Sequence, residues 1–153
     1  MKIYRLEKSQ KLPISIDEGW AFFSNPKNLK IITPDYMGFN IINPEESKMY
    51  SGQIIKYKVS PIFNINMNWV TEISNVNKNR FFVDEQRFGP YKFWHHKHIF
   101  KEVNGGIEAS DILDYVIPYG FIGRILHSIF IKPKLEEIFE YRKEKLEEIF
   151  GKF

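Results

Sequence analysis

Between residues 53 and 117 the chain repeats one pattern: apolar and polar residues alternate with a period of two, in short stretches parted by turn signals. Stretches 53–60, 64–74, 80–87, 92–103 and 107–117 each read as a strand. In 53–60, Ile55, Tyr57 and Val59 share one side, with Lys56 and Lys58 on the other. In 64–74, Ile65, Met67, Trp69, Thr71 and Ile73 share a face, and Asn64, Asn66, Asn68 and Glu72 form the face that meets water. Phe88-Gly89-Pro90-Tyr91 is a turn, and Asn104-Gly105 is the strongest hairpin signal, because both residues tolerate the positive φ of a two-residue loop. Strands joined in sequence by such turns form an antiparallel meander.

The flanks supply the rest. Residues 2–12 read as a strand, with Ile3, Arg5 and Glu7 alternating with Tyr4, Leu6 and Lys8 until Pro13. Ser15 and Glu18 form a capping box for a helix carrying Trp20, Phe22 and Phe23. Asn25-Pro26 opens a second short helix with Leu29 and Ile32, stopped by Thr33-Pro34. A further strand is expected over 36–42, ended by Asn43-Pro44. From 119 to 151 the pattern is helical: Leu135, Ile138, Phe139, Arg142, Leu146, Ile149 and Phe150 make one stripe, and Ile122, Ile125, Leu126 and Ile129 a second. Ile129 and Ile138 are about 900° apart at about 100° per residue, so the stripes are half a turn out of phase. A kink is expected near Lys132-Pro133.

This order predicts one α+β domain over residues 1–153: a curved antiparallel sheet of about seven strands, two short helices after the first strand, and a long C-terminal helix along the concave face. A bent sheet closed by one helix leaves a hollow unless large side chains fill it. Aromatic residues are 16% of the chain, and such side chains line many apolar pockets. With no cysteine, disulfides, thiolate metal sites and cysteine nucleophiles are excluded. The net charge of +3 is spread along the chain, which argues against nucleic acid as a partner. The first residues lack the apolar core of a signal peptide and no stretch matches a membrane span, so a cytoplasmic protein is expected. Transient membrane contact stays open.

The C-terminal half carries a resemblance. Phe82-Val83-Asp84-Glu85-Gln86, Gly89-Pro90, Trp94-His95-His96-Lys97-His98-Ile99-Phe100, Gly105-Gly106, Asp114-Tyr115 and Leu135-Glu136-Glu137-Ile138-Phe139-Glu140-Tyr141-Arg142 are similar to a bacterial subgroup of the START-like, or SRPBCC, superfamily. That subgroup is described as ligand-binding or polyketide cyclase/dehydrase-like. The resemblance implies the helix-grip fold and a hydrophobic ligand. It does not imply a reaction, because the fold hosts carriers, enzymes and scaffolds alike.

Polar chemistry concentrates in 95–98. Strand periodicity puts Trp94, His96, His98 and Phe100 on one face, assigned to the concave side because the alternative would bury Lys97. A two-residue turn at Asn104-Gly105 sets Phe100 opposite Ala109, His98 opposite Asp111, His96 opposite Leu113 and Trp94 opposite Tyr115. His98 and Asp111 are then the acid–base candidates for catalysis, and His96, His98 and Asp111 could form a facial set of metal ligands, with no residue behind them to be named. A structural polar network or a ligand-orienting patch fits the same residues. Arg87 opposite Lys92 brings Glu85 beside Trp94; a turn one residue longer brings Asp84 and Gln86 there instead. Arg142, on the apolar stripe, is either a snorkelling rim residue or an anion contact.

The first reading is a non-enzymatic binder or carrier of a hydrophobic or amphipathic molecule such as a lipid, isoprenoid, quinone or polyketide-like ring. Its expected ligand residues are Tyr57, Trp69, Glu85, Trp94, His96, His98, Asp111, Tyr115, Phe139 and Arg142, with no cofactor and no metal. Tyr141 is a further hydroxyl that fits either pocket or core. A cyclase or dehydratase using His98 and Asp111, and a protein-interaction module, are the alternatives.

Overall fold

Among the described residues, seven strands make one sheet: β1 (Tyr4–Leu12), β2 (Asn40–Ile41), β3 (Gln53–Val59), β4 (Met67–Asn77), β5 (Phe81–Phe88), β6 (Phe93–Val103) and β7 (Gly106–Val116). The computed structural model describes residues 2–42, 48–60 and 65–153. All pairings are antiparallel, in the order β1-β7-β6-β5-β4-β3-β2, so the first strand closes onto the last. Two register shifts between β4 and β5, at Val70/Thr71 and Ile73/Asn75, are irregularities of the kind that bend a sheet.

The two-residue Asn104-Gly105 loop sets Val103 opposite Gly106 with Gly105 alone at positive φ (+90°), and the register runs on to His98↔Asp111, His96↔Leu113 and Trp94↔Tyr115, as a loop of that length predicts. Across β5 and β6 the longer turn holds: Asp84 faces His96, and Glu85 faces His95 on the outer side. The cause lies in the turn. Gln86 Nε2 donates to the Tyr91 carbonyl at 2.6 Å, and the Tyr91 N–H donates back to Gln86 Oε1 at 3.2 Å, so a side chain stands in for the last strand pairing. Gly89 makes room, because a Cβ there would lie 2.3 Å from Gln86 Oε1.

Helix α1 (Ile16–Phe23) opens on the expected capping box, with Ser15 and Glu18 bonded reciprocally. The segment after Asn25 is a 3-10 turn, Pro26–Lys30, rather than an α-helix, and Asn25 Oδ1 accepts from Lys27 N–H at 3.1 Å. The strand expected over 36–42 shrinks to β2. Asp35–Met37 forms a 3-10 turn capped by Gly38 at φ +54°, a left-handed conformation that favours glycine and interrupts the extended chain. The Asn43-Pro44 stop and Asn64 lie outside the described residues.

The C-terminal stretch comprises α2 (Gly120–Leu126), a wide π turn (His127–Ile131) and α3 (Lys132–Phe150). The expected break is this π turn: the Lys132 N–H reaches back to the His127 carbonyl, and Pro133, without a donor, sits in the first turn of α3. Leu135, Phe139, Arg142 and Leu146 of α3 are buried, whereas Ile122, Ile125, Leu126 and Ile129 are exposed.

Three apolar clusters fill the interior. Leu146 joins Leu12, Phe82, Phe100 and Ile107, with Trp20, Phe22 and Phe23 of α1 against them. Leu135 and Phe139 join Leu6, Leu113 and Tyr115. The third, Ile55, Tyr57, Val59 and Ile73 on β3 and β4, includes no residue of α3. The helix therefore grips the β1/β7 side of the sheet and stands away from β3 and β4, which leaves the hollow.

Candidate functional site

That hollow is a cavity of about 660 Å³, within the size range of small-molecule sites. Ile55, Tyr57, Val59, Met67, Trp69 and Ile73 form its wall on β3 and β4, and Leu135, Ile138 and Phe139 its wall on α3. Trp69 and Trp94 meet edge to face at 5.1 Å between ring centroids, and Tyr91 packs on both. Burial drives the Tyr57 and Tyr91 hydroxyls above their ordinary pKa, so both stay neutral.

Into this apolar lining project Asp84, His96, His98 and Arg142. Asp84 Oδ2 lies 2.8 Å from His98 Nε2 and 3.5 Å from His96 Nδ1. Behind the two imidazoles, outside the cavity wall, Asp111 Oδ1 lies 2.8 Å from His98 Nδ1 and 2.9 Å from His96 Nε2. Arg142 Nη1 approaches the same oxygen at 3.5 Å, its guanidinium 5.0 Å from the Phe139 ring centroid. The Trp94 indole N–H donates to Asp84 Oδ1 at 3.3 Å. Two acids, two imidazoles and one guanidinium thus form one largely buried network on β5, β6, β7 and α3.

The network splits the two histidines. Burial opposes charge on His98, but its bonds to Asp111 and Asp84 outweigh that and raise its pKa. Burial, together with the charge of His98, lowers that of His96 despite both acids. Burial alone would raise the carboxyls; His96, His98 and the Trp94 indole hold Asp84 below its usual range, and His96, His98 and Arg142 hold Asp111 well below.

Of the residues expected from sequence, Tyr57, Trp69, Trp94, His96, His98, Phe139 and Arg142 line the cavity, and Asp111 stands behind it. Two do not belong there. Glu85 points outward, 3.4 Å from Arg87 and 3.9 Å from His95, because the longer turn shifts its strand by one residue. Tyr115 is buried on the other side of the network, where its hydroxyl meets His127 Nε2 at 2.8 Å and burial pushes its pKa up to about 12. Nor does Arg142 sit at the rim: it is only 9% exposed and turned inward. Asp84 takes the place expected of Glu85. His127, stacked on Tyr4 at 3.6 Å and held below its ordinary pKa by burial, has no sequence signal beyond being a lone imidazole in an apolar helix.

No protein-family model matches the chain, and no curated protein does. Solved structures are similar over nearly its whole length. A protein from Chromobacterium violaceum has a TM-score of 0.70 at 12% identity, covering 100% of both chains. Major latex-like protein 151 from Panax ginseng has a TM-score of 0.66 at 12% identity, covering 97% of each. Ara h 8.0201 has a TM-score of 0.60 at 12% identity, covering 95% of this chain and 98% of its own. At such identities the likeness is one of architecture. The chain has the helix-grip fold, an antiparallel sheet wrapped on a C-terminal helix. Among the described residues, no helix is long and apolar enough to cross a membrane.

Proposed function

We propose that the protein binds one amphipathic, mostly apolar small molecule in the cavity, with its apolar body against β3, β4 and α3 and its polar end at Arg142 and the histidines. One observation carries this reading. Arg142 Nε is buried in the cavity wall without a hydrogen-bond partner among the described residues. An unsatisfied buried donor costs about 1–3 kcal/mol, and a guest oxygen would satisfy it once the guanidinium turns toward the cavity. The ligand class is therefore an apolar chain or ring system ending in a carboxylate, carbonyl or phosphate oxygen. General-base chemistry by His98 and Asp111 gains no comparable support, since both ring nitrogens of His98 are already held by carboxylates.

Entry from a membrane surface suits the same reading. The cavity lining reaches Tyr119 and Leu126, and beside them Phe121 and Ile122 of α2 are 67% and 64% exposed. Residues 117–134 include no acid, and Arg124 beside the Phe121 ring is the cation α2 offers to an anionic bilayer, since Lys132 and Lys134 pair with Glu136 and Glu137.

Titration with a long-chain carboxylic acid and with the hydrocarbon of equal length tests the proposal. Saturable one-to-one binding of the acid is expected, weakened about 10- to 100-fold by Arg142→Met, with the hydrocarbon unaffected by that change. Absence of saturable binding, or equal binding of both probes, would overturn it.

A further inference from the structure

We propose that Asp84, His96 and His98 form a site for one divalent first-row transition ion, open toward the cavity. The three donor atoms lie within 4.8 Å of one another on the adjacent strands β5 and β6. In the β5–β6 register Asp84 stands directly opposite His96, and the i, i+2 spacing brings His98 onto the same face. A first-row ion bound at about 2.0–2.2 Å needs ligands spaced about 3–3.4 Å apart. Asp84 Oδ2 already lies 2.8 Å from His98 Nε2 and 3.5 Å from His96 Nδ1.

The shell behind these donors makes the site more than a cluster. Metal-bound histidines usually donate their other ring N–H to a carboxylate, which fixes the tautomer and aims the lone pair. Here one carboxylate serves both rings: Asp111 Oδ1 faces His98 Nδ1 and His96 Nε2 at 2.8 and 2.9 Å. Arg142 holds Asp111 in turn, and the Trp94 indole holds the far oxygen of Asp84. Asp84, His96 and His98 line the cavity and Asp111 does not, so the three donors face the cavity with Asp111 behind the imidazoles. All four imidazole nitrogens lie within 3.5 Å of a carboxylate oxygen, whereas two neutral rings have only two N–H groups to offer. A metal takes two of those nitrogens as lone-pair donors and leaves the other two N–H groups to Asp111.

Two imidazoles and one carboxylate suit zinc, iron(II) or cobalt(II), rather than calcium or magnesium, which prefer all-oxygen sets. Three protein ligands leave at least one coordination position facing the cavity, where an oxygen of its occupant would bind. The proposal shares this pocket with the amphipathic-ligand reading but does not require it.

The test is titration of chelator-treated, folded protein with Co²⁺, followed by visible absorption, and with Zn²⁺ by calorimetry. One Co²⁺ per chain with ligand-field bands, displaced by Zn²⁺, is expected. Asp84→Asn and His96→Gln should each weaken binding at least about 100-fold. Asp111→Asn should weaken it about 10- to 100-fold with the stoichiometry kept, as a residue behind the ligands does. A folded wild-type protein that gives neither bands nor heat would overturn the site, and so would a folded Asp84→Asn variant that binds like wild type. The wild-type titration decides even if a variant fails to fold. Loss of carboxylic-acid binding alone would defeat the preceding reading and leave this one standing.

Discussion

Replacing Asp111 with asparagine removes the anion on which His96, His98 and Arg142 converge. Asparagine keeps the shape and one acceptor oxygen but not the charge, and Arg142, only 9% exposed, is left as a buried cation without its carboxylate partner. Breaking a buried ion pair from one side costs about 3–5 kcal/mol. At about 2–4 °C per kcal/mol for a chain of this length, the melting temperature should fall by roughly 6–20 °C. The loss depends on pH, and its sign follows from the direction of each shift. The Asp111 pKa is depressed when folded, so its contribution is complete above its ordinary value of 3.8 and is lost as pH falls through the folded value. That of His98 is raised, so its contribution is complete below its ordinary 6.5 and fades as pH rises through the folded value. The gap between wild type and Asp111→Asn should therefore be widest between about pH 4 and 6.5. Urea unfolding of wild type, Asp111→Asn, Arg142→Met and the double variant provides the assay, with Arg142→Met rescuing part of the loss. A loss below about 1 kcal/mol, or additive single changes, would refute the reasoning.

Other outcomes follow from the same geometry. In metal-free protein, NMR titration should find His98 titrating above and His96 below the ordinary 6.5, and the same order for both would break the network as described. Gly123→Ala should lower the melting temperature and release α2, because a Cβ there would lie 1.9 Å from the Pro118 carbonyl oxygen; an unchanged melt would show that α2 is not held at that contact. Phe121→Asp should abolish co-sedimentation with anionic vesicles while sparing ligand binding; wild-type protein that ignores such vesicles would remove α2 as the loading surface.

Legibility in the sequence followed the locality of the signal. Asn104-Gly105 fixed the β6–β7 register to the residue, so His98 opposite Asp111 could be read directly. Four residues without such chemistry join β5 to β6, and their pairing depended on Gln86 bonding the Tyr91 backbone, a side-chain event no periodicity reports; hence Glu85 stood where Asp84 belongs. The α3 stripe placed Arg142 on the inner face, but its inward turn required Asp111, which is remote in sequence. The phase jump near Pro133 was visible, whereas its resolution as a π turn, with the upstream stripe exposed and the downstream one inside except for Ile149, depended on packing. The strand expected over 36–42 was lost to a Gly38-capped turn. His127, paired with Tyr115, had no pattern to reveal it.

The hollow between α3 and the β3–β4 wall can be interrogated through its own indoles. Trp69 and Trp94 line it, and Trp20, packed on Phe82 and Phe100, does not. With Trp20→Phe in place, a brominated long-chain carboxylic acid should quench the remaining emission saturably, at one molecule per chain. Quenching that rises linearly without saturating would mean that no guest enters.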